Sequence, residues 1–223
     1  MEESHIVKVL KAQYITHDVK RFVVEKPKGY NFIPGQATEV SVNLQEWKDE
    51  KRPFTFTCLQ DEDYLEFMIK IYHDHNGVTA ILGKTNAGDE LILRDVWGAI
   101  HYKGPGVFIA GGAGITPFIA ILRDLHKKGQ LKGNRLIYSN KTSEDVIMEA
   151  ELQEMLQEDF IKIFTRENVT GFVGRRIDRK YLIANIADFS QHFYVCGPSS
   201  FVKSISALLV ELGAKPDEVV FEK

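Results

Sequence analysis

Cysteine is scarce in this sequence, with only Cys58 and Cys196 among 223 residues. Two thiols are too few for a disulfide framework, a four-cysteine zinc site or an iron–sulfur cluster held by cysteine alone. Any redox chemistry must therefore use another cofactor. The chain also lacks an apolar run of the roughly 18 to 20 residues that a membrane span needs. Its start, MEESHIVKVLKAQ, has neither the basic nor the apolar segment of a secretory leader, so we expect a cytoplasmic protein that does not enter the membrane.

Neither sign of charge dominates the chain, whose formal net charge is −3. This balance gives no reason to expect binding to nucleic acid. Glycine and proline together account for only 24 of 223 residues, which excludes collagenous and low-complexity classes. The segment His73-Asp74-His75 offers two imidazoles and one carboxylate, an incomplete ligand set, so we predict no metal site.

Short segments of strand length fill the chain up to residue 102. They are HIVKVLKAQYIT, VKRFVVEKP, ATEVSVNL, RPFTFTCL, YLEFMIKIY and DELILRD. Several of them alternate apolar and polar residues, as half-buried antiparallel strands do. The pattern predicts a six-stranded antiparallel β-barrel with Greek-key connections over residues 1–102, and the segment GVTAILGK predicts one short helix that caps it.

From Gly106 onward, apolar bursts of strand length alternate with amphipathic stretches of helix length. This alternation predicts an α/β Rossmann-like domain over residues 103–223, with a parallel sheet of about five strands. The segment SEDVIMEAELQEMLQED is expected to form one of the helices, with Thr142 or Ser143 as its N-cap.

A glycine-rich segment, GVFIAGGAGITPFIAILRDL, joins an apolar strand to one of these helices. Glycines let a backbone approach a ligand closely, and the free N–H groups of a helix start attract phosphate oxygens. The spacing is G-x-G-x-x-P, so the third glycine of the usual dinucleotide fingerprint is absent. The alternative interpretation is a turn that only packs a helix against a strand.

A second strand-to-helix loop, in HFYVCGPSSFVKSI, repeats this architecture near the other end of the chain. Ligands of open parallel sheets bind beyond the carboxyl ends of the strands, so both loops are expected to face one crevice. Cys196 lies in this loop, although a buried cysteine can also be an ordinary small apolar residue.

The strand RPFTFTC places Arg52, Phe54 and Thr55 within four residues. Such a trio can pair with phosphate, stack on a ring and hydrogen-bond a heteroatom. It can equally be an ordinary edge strand. The basic cluster of Arg175, Arg176, Arg179 and Lys180 is interpreted as a solvated face, or else as an electrostatic guide for an acidic partner.

The order of these motifs resembles the ferredoxin–NADP+ reductase superfamily, and within it the flavodoxin and ferredoxin reductases, over essentially the whole chain. The motifs are R-x-F-T, then G-V-T at a short helix, G-G-A-G-I-T-P, C-G-P and a terminal F-E-K. The resemblance implies an FAD-binding barrel over residues 1–102 and an NAD(P)-binding domain over residues 103–223.

Carried over by motif, Arg52 would hold the flavin pyrophosphate, Phe54 would stack on the isoalloxazine and Thr55 would hydrogen-bond flavin N5. Relatives usually carry Tyr and Ser at the last two positions, and Phe and Thr retain the ring and the hydroxyl. The expected flavin-binding residues are Arg52, Pro53, Phe54, Thr55, Ile69, Lys70, Tyr72, Gly77, Val78 and Thr79. The expected nucleotide-binding residues are Gly111, Gly112, Gly114, Ile115, Thr116, Pro117, Asn140, Lys141, Thr165, Arg166, Cys196, Gly197 and Pro198.

Three residues are expected to be catalytic by the same resemblance: Thr55, Cys196 and Glu222. Cys196 would lie beside the nicotinamide carbon that donates hydride, and Glu222 would lie by the flavin. Many relatives have an aromatic residue at or beyond this point, whereas only Lys223 follows here. The resemblance therefore leaves open whether Phe221 covers the second flavin face or whether that face is open to substrate.

The implied activity is an FAD-dependent reductase that passes electrons from NADPH to a separate one-electron carrier, a flavodoxin or ferredoxin. The alternatives are an NAD(P)H:flavin or ferric reductase, and a non-catalytic nucleotide-binding subunit of a redox complex. We expect a monomer. NADPH is favoured over NADH because Thr165-Arg166 resembles the Ser-Arg pair of NADPH-using relatives, with Lys141 and Arg175 as further charge. The strand RLIYSN also ends without an acidic residue that could bind a ribose hydroxyl.

Overall fold

The computed structural model describes residues 4–74, 76–98, 100–167 and 174–221. The strands are β1 (His5–Tyr14), β2 (Val19–Glu25), β3 (Ala37–Val42), β4 (Arg52–Thr55), β5 (Tyr64–Lys70), β6 (Glu90–Trp97), β7 (Gly106–Gly111), β8 (Arg135–Asn140), β9 (Phe160–Phe164), β10 (His192–Cys196) and β11 (Val219–Phe221). The α-helices are α1 (Val78–Lys84), α2 (Thr116–Lys127), α3 (Glu149–Leu156), α4 (Arg179–Asn185) and α5 (Ser199–Glu211). The chain divides into two compact units, one of residues 1–98 with 116–123 and the other of residues 99–115 with 124–223.

The first unit contains a six-stranded antiparallel sheet in the order β4-β3-β6-β1-β2-β5. Inward side chains alternate along each strand, as the sequence pattern requires, and they pack into one apolar core. The two edge strands approach each other where the Thr57 amide donates to the Glu66 carbonyl at 2.9 Å. The predicted six-stranded antiparallel barrel is confirmed.

Helix α1 caps the barrel, as the sequence indicates, because Val78 and Leu82 are part of the barrel core. Its carboxyl end is fixed by Lys20, a buried residue of β2. The Lys20 ammonium donates to the carbonyl oxygens of Gly83 at 3.0 Å and Thr85 at 2.7 Å. A positive charge at this position complements the carbonyls that a helix leaves unpaired at its end.

A buried carboxylate, Glu66 on β5, joins three parts of the first unit. Glu66 has no solvent exposure. It accepts from Arg21 Nε at 2.6 Å, from Thr57 Oγ1 at 2.7 Å and from Arg123 Nη1 at 2.7 Å. Arg123 also donates to the Thr57 carbonyl at 2.7 Å. Burial acts to raise the pKa of Glu66, but Arg123, Thr57 and Arg21 outweigh it and hold the pKa below its usual value.

The second unit contains a five-stranded parallel sheet in the order β11-β10-β7-β8-β9, which confirms the predicted fold class. Its central strands are buried on both faces, which is why they read as continuous apolar runs. Helices α4 and α5 cover one face through Tyr181, Leu182, Val202, Ile205 and Leu209.

The helix expected over residues 143–159 is shorter in the structure. Thr142 forms a capping box with Asp145, but the box closes only one 3-10 turn over Ser143–Asp145. Ile147 is then buried outside any helix, and Met148 takes a left-handed conformation with φ of 54° before α3 begins. Burial of this apolar residue therefore overrides the helical spacing of the segment.

None of the helices in the described ranges combines the length and the apolar character that crossing a membrane requires.

Replacing Glu66 by Gln should lower the free energy of unfolding by about 3 kcal/mol at neutral pH, because two arginines lose a buried partner charge. The folded-state pKa of Glu66 lies below its usual value of 4.5. The stabilisation is therefore present above the unfolded pKa and is lost as pH falls through the folded pKa. Denaturant unfolding of parent and variant should give curves that converge below about pH 4.5. The exposed Glu46→Gln variant is the control, and a gap that stays constant with pH contradicts the assignment.

Candidate functional site

The glycine-rich turn after β7 is a 3-10 turn, Gly112–Ile115, which continues directly into α2. Regular hydrogen-bonded structure thus begins four residues before Thr116, the first residue of α2. Gly112 has a φ of 54°, and a Cβ placed there would have no atom within 4 Å. Ile115 is fully buried, so its side chain anchors the turn while the Gly112 backbone remains accessible.

The two strand-to-helix loops singled out in the sequence meet in the second unit. A Cβ on Gly114 would lie 2.5 Å from the carbonyl carbon of Cys196 and 2.5 Å from Cα of Gly197. A Cβ on Gly197 would lie 3.2 Å from Cα of Gly111. Strand pairing places Cys196 opposite Ala110 on the neighbouring strand. The structure therefore brings Gly111, Gly114, Cys196 and Gly197 together, and glycine is required for the close approach.

The ends of β8 and β9 bring together the residues expected to select the nucleotide. The Thr165 amide donates to the Asn140 carbonyl at 2.9 Å, and the Arg166 amide donates to the Lys141 carbonyl at 2.9 Å. Lys141 and Arg166 are both exposed. Arg175 lies with its guanidinium 5.0 Å from the ring centre of Tyr181, so its charge is directed to an aromatic face.

Asn140 has a buried side-chain carboxamide at the carboxyl end of β8. The residue is 4% exposed, and neither its Nδ2 nor its Oδ1 has a hydrogen-bond partner among the described residues. Buried amide groups in folded proteins are normally hydrogen-bonded. Asn140 therefore has donor and acceptor capacity at the strand ends where ligands of parallel sheets bind.

An acidic residue that the sequence patterns did not indicate, Glu167, lies beside Arg166. The Glu167 carboxylate accepts from the Ser143 amide at 2.6 Å and from the Ser143 hydroxyl at 3.0 Å. Glu167 follows β9, whereas β8 is the strand RLIYSN that ends without an acidic residue. The end of the sheet thus carries both signs of charge.

The expected flavin-binding strand is β4, an edge strand of the barrel. Arg52 and Pro53 are exposed, whereas Phe54 and Thr55 are half-buried, and Phe54 packs against the barrel core. The Arg52 Nη1 donates to the Lys51 carbonyl at 2.7 Å.

Strand pairing aligns Thr55 with Ala37 and Ala37 with Trp97. The exposed Trp97 indole therefore lies two strands from Thr55, on the same face of the sheet. Trp97 belongs to none of the sequence motifs, although an aromatic residue just after the predicted strand DELILRD was a usable signal.

The remaining residues expected to bind the flavin lie on β5, just after it and at the start of α1. Ile69 is buried in the barrel core, and Tyr72 is exposed. The Lys70 ammonium lies 2.5 Å from Asp18 Oδ2, so part of its charge is already paired. Val78 is also buried, and only its backbone is available beside Gly77 and Thr79. A Cβ on Gly77 would meet no atom within 4 Å. Glu222 lies outside the described residues.

The residues of both units fit the cofactors that the family resemblance implies. In the second unit, the open Gly112 backbone and the unpaired Asn140 carboxamide are groups that a nucleotide could bind. In the first unit, the exposed Arg52 and the open turn at Gly77 suit a diphosphate, and Phe54 offers an aromatic ring.

Two family models match the chain. An oxidoreductase FAD-binding domain matches residues 6–102, and an oxidoreductase NAD-binding domain matches residues 108–207. NADH-cytochrome b5 reductase 1 of Kluyveromyces lactis is 31% identical over 225 residues, which cover 91% of this chain and 79% of that protein.

The reductase component of propane 2-monooxygenase from Rhodococcus jostii is 26% identical over 97% of this chain. The chain spans 62% of the length of that relative. The crystal structure of a ferredoxin NADP+ reductase from Neisseria gonorrhoeae with bound FAD and NADP superposes with a TM-score of 0.83, covering 98% of each chain. Its sequence identity is 23%, so this likeness shows the fold.

Replacing Gly114 by Ala should separate the two loops of the second unit, because its methyl carbon would lie 2.5 Å from the Cys196 backbone. We expect destabilisation of about 2 kcal/mol from overpacking, together with weaker binding of NADPH. Thermal unfolding and fluorescence titration measure the two effects. Gly129→Ala is the control for destabilisation: no atom lies within 4 Å of the added methyl group, but alanine is strained at its φ of 66°. It should lower thermal stability and keep the parent affinity for NADPH. Parent-like affinity in Gly114→Ala contradicts a nucleotide site at these loops.

Proposed function

Because the chain belongs to the ferredoxin–NADP+ reductase superfamily, and is thus an oxidoreductase with FAD- and NAD(P)-binding domains, we propose that it passes electrons from NADPH through FAD to a one-electron carrier. The carrier is of the flavodoxin or ferredoxin type. FAD, when bound, accepts two electrons as a hydride and releases them singly. The contribution of the chain is to hold both cofactors in position.

The observation that carries this proposal is the meeting of the two glycine-containing loops in the second unit. A Cβ on Gly114 would lie 2.5 Å from the Cys196 backbone, so a side chain at this position requires the two loops to move apart. In the proposal, the backbone at Gly112 and Gly114 holds the nucleotide with Thr116, and Cys196 borders the nicotinamide ring. The Asn140 carboxamide supplies a donor and an acceptor to the same ligand.

In the first unit, the proposal assigns the flavin diphosphate to Arg52 and to the turn at Gly77–Thr79. The Arg52 guanidinium supports this role because it is exposed and keeps further N–H donors for an anion. Within the part of the chain that the structure describes, only its Nη1 is engaged, with the Lys51 carbonyl at 2.7 Å and with Glu50 at 3.9 Å. Phe54 stacks on the flavin ring, and Thr55 donates a hydrogen bond to flavin N5. The exposed Trp97 presents a second aromatic ring, on the face of the sheet that carries Thr55.

The names of the relatives support a redox protein as electron acceptor. One is the reductase component of a monooxygenase system, another is a cytochrome b5 reductase, and a third is the ferredoxin–NAD(P)+ reductase component of naphthalene 1,2-dioxygenase. Two of these names include a redox protein, cytochrome b5 or ferredoxin, and the third is that of a component of an enzyme system. Carriers of this kind take one electron at a time, which suits a two-electron donor coupled through FAD.

The proposed choice of NADPH rests on Thr165 and Arg166, with Lys141 adjacent. A 2′-phosphate requires a cation and a hydrogen-bond donor at this end of the sheet. Two observations oppose this choice. Glu167 places a negative charge beside Arg166, and the relative from Kluyveromyces lactis is named for NADH. The Glu167 carboxylate accepts hydrogen bonds from the amide and the hydroxyl of Ser143, so it is engaged with Ser143 rather than with the Arg166 side chain.

The purified protein should be yellow, and anaerobic addition of NADPH should bleach its flavin absorbance.

Arg52→Ala should release FAD, since loss of a charge-assisted contact costs about 1.5 to 3 kcal/mol, or on the order of 10- to 150-fold in affinity. Lys51→Ala is the matched control, because it removes the neighbouring cation, which is paired more closely with Glu39 at 2.5 Å than Arg52 is with Glu50 at 3.9 Å. Reoxidation by a flavodoxin or ferredoxin should outpace reoxidation by free flavin. A colourless parent protein, or equal FAD affinity in both variants, refutes the assignment.

Arg166→Ala should raise KM for NADPH on the order of tenfold or more and leave KM for NADH nearly unchanged, since only NADPH carries the phosphate. Steady-state comparison of kcat/KM for the two nucleotides measures the preference. Arg176→Ala removes another exposed arginine and serves as the control. Equal kcat/KM for both nucleotides in the parent, or a preference unaffected by Arg166→Ala, contradicts the choice of NADPH.

A further inference from the structure

The first two turns of α2 belong to the same compact unit as the barrel. Thr116 begins this segment and Arg123 ends it. They are separated by seven residues, about two helical turns, so they lie on one face of the helix. A bond that fixes Arg123 therefore fixes the orientation of the face that carries Thr116.

The partner of Arg123 lies on the outer face of β5. Leu65, Phe67 and Ile69 point into the barrel core, so the alternating residues Glu66 and Lys70 lie on the opposite face. Arg123 Nη1 reaches Glu66 Oε1 at 2.7 Å, and the same atom reaches the Thr57 carbonyl at 2.7 Å. One guanidinium nitrogen thus bonds to β5 and to the segment just after β4.

Strands β4 and β5 both carry residues that are proposed to hold the flavin. Thr57 follows Thr55 by two residues, and Lys70 follows Glu66 by four on the same strand. Glu66 is in turn fixed by Arg21, which donates through Nε at 2.6 Å and forms a second ion-pair contact through Nη2. The carboxylate has no exposure, so solvent does not compete for it.

We propose that Arg123 and Glu66 are positioning residues for hydride transfer, because their ion pair fixes the start of α2 against the strands that carry Thr55 and Lys70. The inference rests on the proposed function. In that reaction the nicotinamide C4–H bond breaks with its electron pair, the nucleotide is oxidised, and the hydride reduces FAD by bonding at N5. Neither Arg123 nor Glu66 contacts the reacting atoms in this assignment. They act by setting where Thr116 lies.

The test compares FAD-loaded Arg123→Ala, Arg123→Lys and Lys128→Ala with the parent. Glu66 in Arg123→Ala keeps Arg21 and Thr57 as partners, so the barrel is expected to fold. Lys128→Ala is the matched control, since it removes another ion pair of the same helix region, an exposed one with Asp124 at 2.6 Å. Three quantities are measured: the NADP+ dissociation constant, the rate constant of flavin reduction by NADPH in stopped flow, and amide hydrogen exchange of residues 116–122.

In Arg123→Ala we expect NADP+ affinity within about twofold of the parent. The reduction rate constant should fall on the order of 10- to 100-fold, because displacement of a positioning segment by about 1 Å has effects of this size. Exchange of residues 116–122 should accelerate. Arg123→Lys should recover part of both losses, and Lys128→Ala should match the parent.

Parent protein that NADPH does not reduce overturns the proposed function and this inference together. Parent protein that is reduced, with an unchanged reduction rate in Arg123→Ala, overturns the inference alone. A variant that loses thermal stability but keeps the parent rate also overturns it, since that result assigns Arg123 a purely structural role.

Discussion

The buried carboxylate of Glu66 is the interaction on which the first unit depends. Removing a carboxylate from water is costly, and a single ion pair rarely compensates for that cost. Here Arg21, Arg123 and Thr57 share the two oxygens, so every strong hydrogen-bonding direction of the group is used. Apolar residues of similar volume can be equally stable in such positions. The charged cluster instead fixes geometry. Its hydrogen bonds are directional, so they are made in only one arrangement of β5, the segment after β4 and the start of α2.

In the second unit the loops are held by close backbone contact, which glycine residues without side chains make possible. Gly114 lies where any Cβ would meet the Cys196 backbone at 2.5 Å, a distance that real contacts do not reach. At Gly197 a Cβ would lie 3.2 Å from the Gly111 backbone, which is closer than most real contacts. Two strand-to-helix connections can therefore meet at the carboxyl ends of β7 and β10, where parallel strands present their ligand-binding edge. The barrel fixes its functional strands with charge, and the parallel sheet fixes its loops by close backbone contact.

Local patterns are sufficient to predict most of the fold, because polarity along a strand follows directly from burial on one face or on two. The helix expected over residues 143–159 is too long because spacing alone does not show that burial of Ile147 interrupts it. The parts of the site that escape sequence patterns join residues distant in the chain, such as Glu66 and Arg123, which are 57 positions apart. No periodicity connects such a pair, since only the folded backbone brings it together. The residues of β4 that are proposed to bind the flavin, by contrast, share one strand, so their spacing is visible in the sequence itself.

The two cysteines show why redox chemistry in this chain falls to bound cofactors. Burial raises the pKa of the Cys58 thiol to about 12, and its sulfur accepts the Glu66 amide at 3.2 Å. A thiol with that pKa carries almost no thiolate at neutral pH, and thiolate is the reactive form. Cys196 is also buried and is not in a disulfide, and its backbone packs against Gly114. Cys58 is thus a core residue whose sulfur is bonded to the Glu66 backbone, whereas Cys196 lies where the two glycine-containing loops of the second unit meet.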